Sequence, residues 1–493
     1  MNIVSFIGYL NKRNGWNLSS SYYAFVEEWK QWWQGHYDPF HSIQYQDATG
    51  ETKKRRMYSM RMPKKICEDW ASLLLNERTG ITVGDDNTQK WLTGDNQTGG
   101  VLWDLDFWPN ANALVELAFR SGTGAFVMTL DGIKTTGSGR ALQSPEAQIS
   151  MDYLPAECII PITVKRKRIV DVSFLSKVLV GGEACLFLQT HRMTDSGYEI
   201  TNEYFRAKAD DKDKSTEYEE MPLPDGMTAK VKTGSKIPWF SILSPNTVKH
   251  LPGGTGMGVA IFADALDQVR AVDRAFNNLV KDIELGGKKV FYNSSLVRTV
   301  VDEKGNAVQI VPDDVMQQLF MQMGDGDGLG DEKPVQEYNP SLRVNENVDA
   351  VQNALNYLSF KCGLGTHHYQ FDGASITTAT QYSGDRQDMR QNVVKHQIFV
   401  ESALIGIVRA MLWAGKNILG AQVDDSTEIT ISFDDGYFTD TESQRALMAQ
   451  DVRDKVIPGY LYVMQWYDKT EEEAKELVKE AGGGDATGGL FDL

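Results

Sequence analysis

Three acidic residues close to the C-terminus form the combination in this sequence that best suits catalysis. Asp434, Asp435 and Asp440 follow the predicted strand "EITISF", and paired carboxylates can act as general acid and base or bind a catalytic metal ion. The same residues also fit a strand end followed by a helix start, with Asp440 or Thr439 as the N-terminal cap. We favour capping, because the sequence contains neither the G-x-S-x-G nucleophile motif nor the zinc motif H-E-x-x-H. The sequence therefore predicts a protein without enzyme activity.

A glycine-rich segment partly matches a nucleotide-binding loop. In "PGGTGMGVA", Gly253 and Gly258 have the spacing of the two glycines of a P-loop. Val259 and Ala260 stand where that loop requires Lys and Ser or Thr, so no lysine would reach the terminal phosphates. We interpret the segment as a flexible joint before a helix, and we expect no cofactor.

Three further patterns contain residue types that can bind metal ions. Asp325 and Asp327 open a stretch similar to a calcium-binding loop, but Gln336 stands at the twelfth position, where a bidentate Glu is needed. The histidine pairs lack convincing metal partners and are interpreted as ordinary polar residues: His36 with His41, and His367 with His368. The four cysteines are scattered, with no two at metal-ligand spacing. The sequence predicts no metal site.

Composition indicates a large globular protein. The 493 residues exceed the ~250–300 at which one core stops growing, so several domains are expected. No uninterrupted apolar stretch of about 18 residues is present, so no membrane-spanning segment or signal peptide is predicted. The net charge of −17 argues against a DNA-coating protein. Much of this charge lies in residues 421–493, which contain 17 acidic and 6 basic residues.

Long amphipathic helices dominate the second half of the sequence. The first is predicted over residues 258–285, would be about 40 Å long, and has Asp273 as the one interruption of its apolar stripe. Its apolar residues recur every three or four positions and include Phe262, Leu266, Val269 and Phe276. A small unit with a hairpin and a short helix follows at 288–343, and helices are predicted at 344–361 and 384–419. Such long apolar faces suggest packing against neighbouring copies of the chain.

The first half reads as mixed α and β structure. Seven basic residues lie between Lys53 and Lys65, beside an amphipathic helix that carries Ile66 and Trp70. We interpret this charge as a solvated face or a subunit contact rather than a nucleic-acid site. Residues 148–240 alternate in the manner of an antiparallel meander. The predicted fold class is α+β.

A small polar loop, "DGASITTATQYSGDRQ", directly precedes the longest predicted helix. Glycines bound it at both ends, and hydroxyl side chains fill it. Such a loop can change shape, although it can also be a simple connector.

Together these segments resemble the portal proteins of long-tailed (siphovirus-type) bacteriophages. Four stretches carry the resemblance, in family order: "KRRMYSMRMPKKICEDWASLLLNE", "GGTGMGVAIFADALDQVRAVDRAFNNLVKDI", "VNENVDAVQNALNYLSFKCGLG" and "ITTATQ". The last is similar to the T-A-T-E segment that precedes the long helix of the family. Gln381 replaces its Glu, so no charge-dependent role is carried over to this position.

The resemblance implies a portal-type architecture. Its expected parts are a wing at 1–257 with an antiparallel meander at about 148–240, a first stem helix at 258–286, a clip at 287–343, a second stem helix at 344–363, a tunnel loop at 364–383, a long wing helix and strand at 384–435, and a crown with the C-terminal tail at 436–493. The tunnel loop would face passing DNA through Ser375, Thr377, Thr378, Thr380 and Gln381. The stem would pack through Phe262, Leu266, Val269 and Phe276.

The resemblance also implies location and partners. It predicts a dodecameric ring at one capsid vertex of the virion, assembled in the host cytoplasm and used for DNA packaging and ejection. The expected partners are the terminase large subunit, a head-completion or adaptor protein, the major capsid and scaffolding proteins, and double-stranded DNA held weakly and non-specifically. No membrane is expected among them.

Two alternatives stay open at the level of sequence. One is a carboxylate-dependent hydrolase that uses the three C-terminal aspartates. The other is a different ring-forming virion protein, although such a protein would not need two long helices that bracket a small domain.

Overall fold

The chain folds into mixed α and β structure, as predicted. The computed structural model describes residues 3–46, 50–76, 78–95, 99–180, 182–208, 217–224, 226–249, 256–293, 298–301, 307–310, 320–323, 335–370, 387–433, 441–454, 456–467 and 469–480.

The helices of the described residues are longest in the second half of the chain. In chain order they are α1 (Ile3–Asn14), α2 (Tyr22–Gln34), α3 (Asp38–His41), α4 (Met62–Leu74), α5 (Asp86–Thr93), α6 (Gly100–Asp104), α7 (Phe107–Ser121), α8 (Leu266–Leu285), α9 (Val344–Lys361), α10 (Gln387–Ala414), α11 (Thr441–Arg453), α12 (Gly459–Tyr467) and α13 (Glu471–Glu480). Single turns of 3-10 helix lie at Ala156–Cys158 and Ala263–Ala265, and a π-helical turn at Gly415–Leu419 extends α10.

The described strands form several small sheets and one larger one. They are β1 (Ser42–Gln46), β2 (Thr52–Arg56), β3 (Gly80–Val83), β4 (Gly124–Asp131), β5 (Gln148–Pro155), β6 (Ile159–Lys165), β7 (Arg168–Val180), β8 (Glu183–Thr194), β9 (Gly197–Ala207), β10 (Tyr218–Met221), β11 (Lys230–Lys232), β12 (Phe240–Leu243), β13 (Lys289–Asn293), β14 (Arg298–Val301), β15 (Ala307–Ile310), β16 (Phe320–Met323), β17 (Val335–Tyr338) and β18 (Ile429–Ser432).

The larger sheet is antiparallel and has the order β10-β9-β8-β7-β6, with β11 also paired to β9. Its hairpin between β6 and β7 turns through Arg166 and Lys167, which both have positive φ, as a two-residue type I′ turn requires. Within the segment 148–240 the strands do not form one meander, because β5 pairs with β4 and β12 pairs with the other edge of β4. The segment is therefore divided between two sheets.

The main core is built around α4, α7 and α10. Trp70 of α4, Phe119 of α7 and Leu404 of α10 are all fully buried in one apolar cluster. Among the described helices, the one at Asp388–Leu419 is long and apolar enough to cross a membrane. More than half of that apolar window is buried inside the protein, which is typical of the core helix of a globular fold. The strand β18 that follows pairs with β3, so this helix is tied into the first half of the chain.

The helix predicted to begin at residue 258 begins later. α8 starts at Leu266, after a 3-10 turn. The preceding backbone is occupied by other contacts: the Gly258 N–H donates to Thr123 Oγ1 over 2.9 Å, and the Ile261 N–H donates to the Phe119 carbonyl, also over 2.9 Å. A Cβ at Gly258 would lie 2.3 Å from the Gly122 carbonyl oxygen. This close backbone approach explains the glycine and delays the helix.

The unit between α8 and α9 also differs from prediction in one element. Residues Phe320–Met323 form a strand rather than part of a short helix, and they pair in parallel with β13. β17 pairs with the other edge of β13, and β14 with β15 forms a separate hairpin. Parallel pairing to a distant strand cannot be read from a short apolar run, because such a run fits helix and strand equally well.

Candidate functional site

Several predicted site residues lie outside the described part of the chain. The loop residues are Ser375, Thr377, Thr378, Thr380 and Gln381, and the candidate catalytic acids are Asp434, Asp435 and Asp440. The structure therefore describes what flanks these residues, and the candidate site is the set of contacts that positions α8, α9 and the approach to the loop.

Of the four predicted stem residues, Leu266, Val269 and Phe276 lie on α8, and Phe262 lies just before the 3-10 turn that precedes it. Phe262 and Val269 are fully buried within the core of the chain itself. Leu266 and Phe276 are partly buried and pack against the same core. The first part of α8 is thus held by its own subunit, while its far end is more exposed, with Ile283 at 54% exposure.

Asp273 anchors α8 to the segment that precedes α4. Its carboxylate is 1% exposed and accepts hydrogen bonds from His41 Nε2 at 3.0 Å, Ser59 Oγ at 3.0 Å and the Met60 N–H at 2.8 Å. A buried carboxylate needs such donors, since an unpaired one would be very costly. The residue that interrupts the apolar stripe of α8 is therefore a structural acceptor.

His41 is part of the same network and has a structural role that its interpretation as an ordinary polar residue did not specify. The ring is fully buried, and the Tyr37 N–H points at Nδ1 over 2.9 Å. Nδ1 is then the acceptor, and Nε2 carries the proton that is donated to Asp273. The sequence feature that could have indicated this buried network is Asp273, the lone aspartate in the apolar stripe of α8.

This cluster contains Ser, His and Asp but cannot act as a catalytic triad. Ser59 Oγ and His41 Nε2 both donate to the same oxygen of Asp273, so the carboxylate lies between them. A triad requires the histidine between the nucleophile and the acid. Within the described residues, no group of three or more His, Cys, Asp or Glu side chains is arranged to hold a metal ion.

The far end of α8 is clamped to the start of α9. Arg343 donates to Asp282 through its guanidinium at 2.8 Å and through its N–H at 3.2 Å, and Asn347 Nδ2 donates to Asp282 at 3.0 Å. The hydrogen bond from Arg343 is the main reason why the pKa of Asp282 is held below its usual value. Both ends of the unit at 287–343 are thus brought together at one point.

A second carboxylate, Asp69 of α4, holds the chain just before the loop. Tyr369 donates its hydroxyl to Asp69 at 2.7 Å, and His368 Nε2 lies 3.3 Å away. Lys65 also contacts Asp69. Burial alone would raise the pKa of Asp69, but the hydrogen bonds from His368, Lys65 and Tyr369 outweigh it and lower the pKa. His368 is therefore also a structural partner and not simply a polar loop residue.

The backbone from Cys362 to Gly365 is fixed by side chains from three helices. Trp70 Nε1 of α4 donates to the Cys362 carbonyl at 3.2 Å. Asn392 of α10 donates to the Gly363 carbonyl at 3.2 Å, and Ser359 of α9 donates to the Gly365 carbonyl. Gly363 and Gly365 have φ values of 81° and 82°, which favour glycine.

In the loop predicted at 364–383, residues 364–370 are therefore not free. They lie against α4 and α9, and Gln352 of α9 also donates to the Tyr369 carbonyl at 2.7 Å. The contacts Asp69–Tyr369 and Asp273–His41 join positions 300 and 232 residues apart. These hydrogen bonds position the helices and the residues before the loop relative to one another.

Comparison with known proteins identifies the family of the chain. No curated protein matches the chain. The family model described as "Phage portal protein, SPP1 Gp6-like" matches residues 19–485, which include all the helices from α2 to α13. The chain therefore belongs to the family of phage portal proteins.

Proposed function

We propose that twelve copies of this portal protein form a ring at one capsid vertex, with a channel through which double-stranded DNA enters and leaves the head. The observation that carries this proposal is the family match over residues 19–485. The family is structural rather than enzymatic, and nothing in the described residues supports the hydrolase alternative. Assembly would take place in the host cytoplasm, before DNA is packaged.

We assign the parts of the ring as the sequence suggested. Residues 1–257 form the wing together with the long helix and strand at 384–435, and residues 436–493 form the crown and tail. The stem consists of 258–286 and 344–363. The clamp between Asp282 and Arg343 supports this assignment, because it closes the base of the unit at 287–343. That unit would then project from the stem as the clip.

The outer face of α9 supports assembly with neighbouring copies. Tyr357 is 71% exposed and Phe360 is 62% exposed, whereas Leu355 and Leu358 on the other face are fully buried. Exposed aromatic side chains of this size mark a protein contact in a chain that forms oligomers. In the proposed ring this face packs on the adjacent subunit, together with the less buried stem residues Leu266 and Phe276.

The loop at 364–383 would contact DNA in the channel. Its proposed contact residues are uncharged: Ser375, Thr377, Thr378, Thr380 and Gln381. DNA carries one negative charge per ~1.7 Å of helix axis, so a basic loop would hold it by counterion release. A neutral loop below an acidic crown would leave the duplex free to move. The hydrogen bond from Tyr369 to Asp69 supports a loop whose first end is held against α4.

The partners follow from the same assignment. The clip would bind the terminase large subunit during packaging and the head-completion or adaptor protein afterwards. Because the chain lacks a P-loop lysine, ATP hydrolysis must come from the terminase. The wing would contact the major capsid and scaffolding proteins.

Electron micrographs and native mass measurement test the ring. The wild type should form closed rings of twelve subunits. The double variant Tyr357→Asp, Phe360→Asp should give smaller species, because it places charge in the proposed contact. The control Leu179→Asp changes a residue that is 77% exposed on β7 and should keep the rings. A wild type that remains monomeric at every concentration would refute the proposal.

A charge added to the loop tests its contact with DNA. The double variant Thr377→Lys, Thr378→Lys should bind duplex DNA more tightly, with a steeper salt dependence, and should package DNA more slowly in intact rings. Packaging at the wild-type rate would show that the loop does not touch DNA during translocation.

A further inference from the structure

The hairpin of β1 and β2 presents a concentrated positive charge at the surface. Its strands have the sequences SIQYQ and TKKRR, with four basic residues and no acidic one. All five residues of β2 are exposed. This local charge is opposite in sign to the net charge of −17 of the whole protein. A surface of this kind fits an acidic partner.

The two faces of the hairpin have different surroundings. Arg56 belongs to one face and donates to the Gly35 carbonyl of its own subunit at 3.1 Å. Because side chains alternate along a strand, Arg55 and Lys53 project from the other face. Tyr45 is directly opposite Lys53, shares that face and is exposed. The face with Lys53 and Arg55 is therefore turned away from the contact with Gly35.

The hairpin and α9 lie on opposite sides of α8. Asp273 bonds the residues at the base of the hairpin, since it accepts hydrogen bonds from His41 and from the Met60 N–H. Asp282 bonds the start of α9 through Arg343. Asp282 follows Asp273 by nine residues, which is about two and a half turns of helix, so the two side chains point in opposite directions. The outer side of α9 and the hairpin are thus at the two ends of one cross-section of the subunit.

The outer side of α9 is acidic near the start of the helix. Glu346 and Asp349 are exposed, and neither forms an ion pair with another described residue. They lie one and two residues from Asn347, which bonds α8 through Asp282, so at about 100° per residue both are turned away from that contact. The helix carries no basic residue before its last position. The exposed side of α9 therefore has the charge that the hairpin lacks.

The two surfaces also lie at the same level along α8. Tyr58, two residues after β2, donates its N–H to Asn277 at 3.4 Å and its hydroxyl to Glu284 at 2.9 Å. The start of α9 is bonded to Asp282, between these two positions. A closed ring joins two different surfaces of each subunit, and rotation about the ring axis leaves the height of a group unchanged. With α8 along the channel, the hairpin of one copy comes level with the outer side of α9 in the next copy.

We propose that the hairpin face with Lys53 and Arg55 docks on the α9 face with Glu346 and Asp349 of the adjacent copy. The partner is thus a second copy of this chain, and the inference rests on the proposed ring, for which it specifies the surfaces that join. Complementary charges at such a contact fix the register of the subunits and disfavour wrong pairings. Duplex DNA could also attract the hairpin, but the matching acidic surface at the same level of the chain favours the protein partner.

Charge reversal in the full-length protein tests the proposal, with ring formation followed by analytical ultracentrifugation and native mass measurement. The hairpin variant Lys53→Glu, Arg55→Glu and the helix variant Glu346→Lys, Asp349→Lys each place like charges together. Each should raise the protein concentration at which half of the chains are in rings by roughly tenfold or more. The variant that combines all four changes restores opposite charges and should form rings at nearly the wild-type concentration.

A matched control separates the contact from net charge alone. Lys134→Glu, Lys236→Glu makes the same change in net charge as the hairpin variant, at exposed residues of other segments, and should assemble as the wild type does.

The inference is overturned if either reversed variant forms rings as readily as the wild type, or if the combined variant does not recover. It is also overturned if the hairpin variant keeps its rings and instead loses affinity for duplex DNA, since the hairpin would then serve nucleic acid. These outcomes leave the ring itself intact, whereas a wild type that forms no ring refutes the proposed function and this contact with it.

Discussion

Replacement of Asp273 by Asn should weaken the attachment of α8 to the rest of the subunit. The change keeps the size of the side chain but replaces one carboxylate oxygen with an amide nitrogen. Three donors now point at the carboxylate, from His41, Ser59 and the Met60 N–H. Whichever way the amide is turned, its NH2 group faces at least one of these donors, so one hydrogen bond is replaced by a donor–donor contact.

The size of the effect follows from the burial of this network. Asp273 and His41 are 1% and 0% exposed, so water cannot replace a lost partner. An unsatisfied buried donor costs about 1–3 kcal/mol, and hydrogen bonds to a charged group contribute about 1.5–3 kcal/mol each. We expect a loss of about 2–4 kcal/mol, which corresponds to an increase of about 30- to 1,000-fold in local opening.

Hydrogen–deuterium exchange measures this opening at the Met60 amide. That amide should exchange faster in Asp273→Asn by the factor given above, while amides in the β7–β8 part of the larger sheet should not change. The control Asp267→Asn removes an acid that is 85% exposed and pairs only with Arg270 among its described contacts, and exposed pairs contribute about 0–1 kcal/mol. Equal exchange at Met60 in the two variants would refute the assigned role of Asp273.

Two further predictions concern the approach to the loop and the response to acid. Tyr369→Phe removes the hydroxyl that donates to Asp69, a bond of about 1.5–3 kcal/mol, and should speed hydrogen exchange in residues 363–370. His396 is buried, its Nδ1 accepts the Asn246 N–H, and burial lowers its pKa to about 3. As pH falls from about 6.5 to about 3, the unfolded chain takes up a proton on this histidine and the folded chain does not. The free energy of unfolding should therefore fall by up to about 5 kcal/mol over this range because of His396. In urea unfolding, His396→Gln should show a correspondingly smaller loss of stability in acid.

Matched variants check both predictions. Tyr357→Phe alters a tyrosine that is 71% exposed and should leave exchange in residues 363–370 unchanged. His367→Gln alters an exposed histidine and should keep the acid sensitivity of the wild type. An unchanged exchange rate in Tyr369→Phe, or an unfolding curve of His396→Gln that still follows the wild type from pH 6.5 to 4, would contradict the respective assignment.

Local patterns in the sequence were sufficient for several helices but not for their exact bounds. The apolar periodicity around Ile66 and Trp70 predicts α4, and the patterns at 344–361 and 384–419 predict α9 and most of α10. The start of α8 was predicted eight residues too early, because periodicity cannot show that the backbone before Leu266 is bonded to another segment. The strand Phe320–Met323 was missed for a related reason, since its partner β13 lies about 30 residues away.

What the sequence by itself determined is the order of the elements, the acidic balance and the family, because these depend on residue type and on spacing along one helix or strand. The tertiary structure alone decided which polar side chains became partners. Asp273 meets His41 across 232 residues, and Asp69 meets Tyr369 across 300 residues. Such contacts arise from the packing of whole elements, since a buried polar group takes whichever donor the assembled core brings within reach.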